Sequence, residues 1–186
     1  MTNSKIQQKF SSYLFYKESS ALPRTTQVTS FQDARSIGII YDSTTDANYD
    51  AVKMLVKDFR DEHKDVQSLG YINLKEIPQN RFVKLGLDFF TKKDLSWKMK
   101  PSGTVVDNFT NTEFDILICL NIGRCIPLKY IASHSRARFK IGRYNERLAY
   151  LYDFMISVED PADLQSFISQ LKHYLFQVKN ENNKKA

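Results

Sequence analysis

Residues 114–120 read FDILICL: Phe114 and Asp115, then an unbroken apolar run from Ile116 to Leu120. Glu113 precedes the run, and Asn121-Ile122-Gly123 follows it. A short, continuously apolar segment between turn signals reads as a strand covered on both faces, the kind found inside parallel sheets. The flanking sequence fits that placement. Downstream, residues 126–134 read as a helix with Pro127 tolerated in its first turn. Residues 138–141 read as the next strand, ended by Gly142, and residues 154–158 as the last. Asp160 then caps a final helix, with Pro161 at its first position and Leu164, Phe167, Ile168, Leu171 and Leu175 on its apolar face. Upstream, Pro101 and Ser102 open a helix carrying Val105, Val106 and Phe109. Strands are expected over residues 36–41 (SIGIIY), 66–72 and 87–90, and a helix over 48–63, where Ala51, Val52, Leu55, Val56 and Phe59 recur at helical spacing. This alternation predicts a single three-layer α/β/α, Rossmann-like domain with a mostly parallel sheet.

An N-terminal helical arm precedes the domain. Residues 1–18 place Ile6, Phe10, Tyr13 and Leu14 on one face, accompanied by Lys5, Lys9 and Lys17. Residues 19–34 are polar, contain Pro23 and read as a linker or ordered arm. The expected division is a basic arm over 1–35, the α/β domain over 36–178 and a polar tail over 179–186. At 42% apolar and 13% aromatic, the chain can build a substantial core. Its two cysteines, Cys119 and Cys125, form no disulfide framework and have no metal-ligand spacing. No segment is apolar enough to span a membrane, and the N-terminus lacks the apolar run of a secretory signal, so the cytoplasm is the expected location.

The charge is concentrated. Residues 121–150 carry Arg124, Lys129, Arg136, Arg138, Lys140, Arg143 and Arg147 against Glu146 alone, which equals the net +6 of the whole chain. Such a field attracts phosphate groups, nucleic acid or an acidic protein face. Arg136, Arg138 and Lys140 alternate with Ala137, Phe139 and Ile141, so one strand face is expected to be positive. Charges protecting an edge strand from aggregation would give the same pattern. The anion-binding candidates are therefore Arg124, Arg136, Arg138, Lys140 and Arg143.

In open α/β sheets, ligands sit beyond the carboxyl ends of the strands. The loops expected there supply the pocket candidates Asp42, Ser43, Thr44, Asn121 and Gly123. The 42–46 loop has no glycine and matches neither the dinucleotide fingerprint nor the P-loop. Ser43, Thr44 or Asp46 capping the following helix accounts for it equally. Cys125 stands at a helix start, where a thiol pKa can fall. His134 stands at a helix end, where a cation is favoured by the dipole. No paired carboxylates, metal cluster or cofactor motif is visible.

Several segments carry a resemblance. SIGIIYD, SLGYIN, DLSWKMKPSG (residues 94–103), FDILICL, SRARFKIG and the final amphipathic helix, in that order, resemble a small bacterial family of α/β proteins known only as a domain of unknown function. The resemblance implies a Rossmann-like domain with a basic N-terminal helix and assigns no functional residue. A weaker one joins Ala137, Lys140, Ile141 and Gly142 to the acceptor domain of heptosyltransferase-type glycosyltransferases. Those enzymes carry a Gly-Asp pair after the first strand, where this chain reads Asp42-Ser43-Thr44, so it implies the fold rather than the transfer reaction.

These features point to a non-catalytic binding domain, without cofactor, for RNA, a ribonucleoprotein or an acidic protein surface. Tyr130, Phe139, Tyr144 and Tyr150 are available to stack on bases. The alternatives are a glycosyltransferase-like or phosphorylated-metabolite enzyme, and a protein that attaches to a membrane surface or partner through its N-terminal helix.

Overall fold

The computed structural model describes residues 2–19, 26–81, 86–158 and 163–175. The stretch around Pro23, the cap expected at Asp160 with Pro161, and the polar tail lie outside them, as do the side chains of Lys5 and Ile6. The strands are β1 (Ser36–Asp42), β2 (Asp65–Ile72), β3 (Leu87–Thr91), β4 (Ile116–Leu120), β5 (Phe139–Arg143) and β6 (Phe154–Ile156). They form one sheet in the order β3-β2-β1-β4-β5-β6, and every neighbouring pair is parallel. This is the strand order of the doubly wound Rossmann fold.

β4 lies between β1 and β5, as its sequence requires. Ile116, Ile118 and Leu120 pack with α2 (Asp46–Asp61) and α5 (Leu164–Leu175). Leu117 and Cys119 face the opposite layer, built by α3 (Thr104–Asn111) and α4 (Ile126–His134). Phe114 stops short of the strand and lays its ring beside Gly38, where a Cβ would approach to 2.7 Å; β1 therefore needs glycine there. Asp115 ties the amino ends of β1 and β4 together. Its Oδ2 accepts from the amides of Arg35 (2.9 Å) and Ser36 (3.0 Å) and from the Ser36 hydroxyl (3.2 Å).

α1 (Thr2–Ser19) packs on the outer side of α4. Phe15 is fully buried and meets the Tyr130 ring edge-on at 5.1 Å, while Ser19 Oγ and the Tyr150 hydroxyl lie 2.6 Å apart. The inward stripe is Ser11, Phe15 and Ser19, one residue every four. Of the expected apolar face, Phe10 and Tyr13 point outward instead, while Leu14 is half-buried. With the sheet on one side and α1 on the other, α4 is buried from Ile126 through Ala132, Lys129 included.

Other boundaries differ locally. Thr45 caps α2, accepting from the Asn48 amide, in place of Ser43, Thr44 or Asp46. α3 starts after Gly103, whose φ of 114° suits glycine, because Pro101 instead bridges back to Leu95. Asp163 accepts from the Ser166 amide at the start of α5. The 26–35 segment is anchored by Phe31 and Ala34 in the core and by the Gln27 amide on the Arg138 carbonyl. Among the described residues, no helix is long and apolar enough to cross a membrane.

Candidate anion site at the carboxyl ends of β4 and β5

The chain reverses its strand order between β1 and β4, and ligands of open α/β sheets lie in the crevice at such a point. Here the β1 side of the crevice is filled by the protein itself. Asp42 Oδ1 accepts from the Thr44 amide, and Thr44 Oγ1 accepts from the Asn73 amide. Ser43 is fully buried and donates its amide to the Tyr71 carbonyl. Arg81 lies across the loop. Its Nη1 donates to Asp46 Oδ1 (2.7 Å), its Nη2 to the Ser43 carbonyl (3.3 Å), and its guanidinium stacks 4.4 Å from the Tyr49 ring centre. Hydrogen bonds from Arg81 and Asn80 hold the Asp46 carboxyl below its ordinary pKa. The first turn of α2 therefore has its own acid and its own cation where a phosphate would otherwise sit. Asp42, Ser43 and Thr44 serve this closure.

The β4 side is open. A cavity of about 280 Å³ lies beyond β4 and β5, lined by Asn121, Ile122, Gly123, Arg124, Lys129, Arg143, Tyr144, Asn145, Leu148 and Tyr152. Among the described residues its lining holds three cations and no carboxylate. Lys129 is only 9% exposed, and its Nζ lies 5.8 Å from the centre of the Tyr16 ring. No acid partners it among the described residues. Burial, chiefly, and the Arg124 charge hold its pKa below the ordinary lysine value. Arg143 is aimed by Nη1 donating to the Ile122 carbonyl at 3.0 Å. Arg124 is exposed at the rim. Asn121 is fixed by Nδ2 donating to the Cys125 carbonyl. Nothing lies within 4 Å of where a Cβ on Gly123 would stand, so the rim is open there.

The remaining anion candidates lie elsewhere. Arg136 and Arg138 precede β5, at the opposite end of the sheet from Arg143. Five residue steps along a strand separate Arg138 from Arg143, roughly 16 Å. Arg138 is occupied with Asp115 (3.4 Å) and Glu113 (3.7 Å). Lys140 does not share an exposed face with them. It is 2% exposed, and its Nζ donates to the Ala132 carbonyl at 2.7 Å in the last turn of α4. A cation there satisfies a helix-end carbonyl and complements the helix dipole. β5 is not an edge strand either, since β6 lies outside it.

The sequence matches a family of unknown function, DUF6913, over residues 7–178. The chain belongs to this family. No curated protein and no solved structure matches it. The matched residues of this DUF6913 chain include all six strands, and with them the cavity and the closed β1 loop. The Ala137, Lys140, Ile141 and Gly142 string that resembles a glycosyltransferase acceptor domain is buried here along β5.

Lys129 is the site residue that sequence reasoning missed. Its signal was a lone charge within IPLKYIA, an otherwise apolar helix. The sulfur and imidazole candidates move the other way. Burial pushes the Cys125 thiol up to about 12 and the Cys119 thiol up to about 11, so neither is a thiolate near neutrality. Burial lowers the His134 pKa, while its Nδ1 lies 3.0 Å from both the Tyr130 carbonyl and Ser133 Oγ at the end of α4. A second cleft, of about 430 Å³, opens between α1 and the loop after β3, lined by Gln7, Tyr71, Asn73, Lys92, Ser96 and Trp97 among others.

Proposed function

We propose that this DUF6913 domain binds a small phosphate-bearing ligand in the cavity beyond β4 and β5. One observation carries the reading: Lys129, nine-tenths buried and without an acid partner among the described residues, lines a cavity whose described lining also holds Arg124 and Arg143 and no carboxylate. A lysine kept charged in such a place is unfavourable without an anion, and binding one offsets the cost of its burial. The cavity's size suits a phosphate monoester rather than a polymer. RNA is less favoured, because Arg138 already has two carboxylate partners and Lys140 is inside.

Calorimetric titration with inorganic pyrophosphate and with glycerol 3-phosphate tests this. Lys129→Gln and Arg143→Gln are expected to weaken binding by about tenfold or more, the loss typical of removing one charge from a desolvated contact. Arg138→Gln should bind like the wild type. Absence of binding to either probe, or an equal loss in Arg138→Gln, removes the reading. Single-stranded RNA binding that depends on Arg136 and Arg138 but not on Lys129 would replace it.

A further inference from the structure

We propose that the outer face of α1 and the adjoining Trp97 loop dock this chain on an anionic lipid surface. The cavity beyond β4 and β5 plays no part in this. Phe10, Tyr13 and Trp97 are 48%, 64% and 65% exposed. They are contiguous: the Phe10 and Trp97 rings stack at 5.8 Å and 18°, and Tyr13 follows Phe10 by one helical turn. Clustered exposed aromatics of this kind mark an interaction site.

The exposure is built in. Trp97 sits at the tip of a loop closed by the Leu95–Pro101 bridge. Within it, the Ser96 amide donates to the Lys100 carbonyl, the Met99 amide to the Ser96 carbonyl and the Ser102 amide to the Asp94 carbonyl, each at 2.9 Å. Met99 adopts a φ of 61°, a left-handed conformation that a non-glycine residue holds only when its surroundings enforce it. Gln7 Nε2 donates to the Trp97 carbonyl and fastens α1 to the loop. A tryptophan fixed this firmly could have been turned inward, yet it projects outward.

The charges around these rings select the occupant. At 100° per residue, Lys9, Phe10, Tyr13 and Lys17 fall within an arc of about 100°, opposite the buried Ser11, Phe15 and Ser19. Lys98 and Lys100 follow Trp97 in the same loop, and the nearby acid Glu18 lies 3.6 Å from Lys98. The facet is an exposed helix side with projecting rings, bordered by the cleft of about 430 Å³ that Gln7 and Trp97 also line. Tyrosine and tryptophan partition to the boundary between headgroups and acyl chains, and lysine stems reach anionic headgroups beside them. A fluid surface accommodates such a shape without a complementary pocket.

Trp97 is the sole tryptophan and therefore reports on its own environment. The full chain is mixed with vesicles of phosphatidylglycerol and phosphatidylcholine, or of phosphatidylcholine alone, and followed by tryptophan emission and co-sedimentation. A blue shift and sedimentation are expected with the anionic vesicles and not with the neutral ones, diminishing as salt is raised. Phe10→Ser with Tyr13→Ser, which leaves the reporter in place, should lower the partition coefficient about tenfold or more, with the thermal transition retained. Lys129→Gln should sediment like the wild type, which separates this docking from phosphate binding in the cavity. No sedimentation with anionic vesicles overturns the proposal. So does a blue shift that grows with protein concentration in the absence of lipid, since that would make a second copy of the chain the occupant.

Discussion

Replacing Asp115 by Ala removes the acceptor that joins the amino ends of β1 and β4. Its Oδ2 takes two backbone amides and the Ser36 hydroxyl, all within 3.2 Å. A hydrogen bond to a charged group contributes about 1.5–3 kcal/mol net when both partners are shielded from water. The Arg35 amide is exposed and can turn to water, whereas the Ser36 amide is partly buried. Counting Ser36 nearly in full and Arg35 in part gives a loss of about 2–3 kcal/mol. Arg138→Ala, by contrast, removes the pairs to Asp115 and Glu113 from an arginine side chain that is 46% exposed, each worth less than about 1 kcal/mol. Urea titrations followed by circular dichroism, with the slope checked for constancy, measure both. The carboxyl is also pH-dependent in a defined direction. Burial acts to raise its pKa, but the Ser36 and Arg35 amides, the Ser36 hydroxyl and the Arg138 charge outweigh it, leaving the pKa below the ordinary value. Its contribution is therefore complete above the unfolded-state pKa, about 3.9, and is lost as pH falls through the lower folded value. The stability gap between wild type and Asp115→Asn should close in strong acid. If Asp115→Ala costs no more than Arg138→Ala at neutral pH, the clamp is illusory.

Leu117→Ala, in the fully buried middle of β4, should cost about 2–5 kcal/mol by the same titration. Gly142→Ala places a Cβ 2.7 Å from the Tyr152 ring and should cost about 1–3 kcal/mol, whereas Gly123→Ala, with open space around it, should be neutral. Lys129→Met should leave the melting temperature unchanged or raise it while weakening pyrophosphate binding by about tenfold or more, because it removes a buried charge that has no acid partner among the described residues. Alkali should destabilise the fold. Burial raises the Cys119 thiol to about 11 and the Cys125 thiol and the Tyr41 and Tyr130 phenols to about 12, so the unfolded chain ionises first. Stability then falls from roughly pH 8.5–10, the ordinary range of these groups, through their folded values, and melting curves across that range test the sign.

The sheet was legible because its strands announce themselves locally. The Ile116–Leu120 run needs cover on both faces, and only a place between two strands and two helix layers supplies it. Charge placement was less legible. Alternation correctly put Lys140 opposite Phe139 and Ile141, but it says nothing of what covers a face, and α4 covers that one. The face of α1 was misread for a related reason: helical spacing offered Phe10 and Tyr13 as readily as Phe15, and the choice depended on where Tyr130 of α4 would stand. Arg81 was invisible, because a single arginine in a connecting segment gives no sign that it will cross to Ser43 and Asp46, more than thirty residues away.

The division of the basic segment has a consequence for the chain before it folds. Newly made or denatured, residues 121–150 present seven cations along one segment against one acid. Folding sends Arg138 and Arg143 to opposite ends of a strand and takes Lys140 out of water altogether. Heparin resin, or nucleic acid in a lysate, would therefore grip the unfolded polypeptide more tightly than the native one. A polyanion that prefers the unfolded form lowers stability by mass action. Nucleic acid carried through a purification would then measure how much of the preparation had failed to fold, and a synthetic 121–150 peptide would overstate the affinity of the protein from which it was taken.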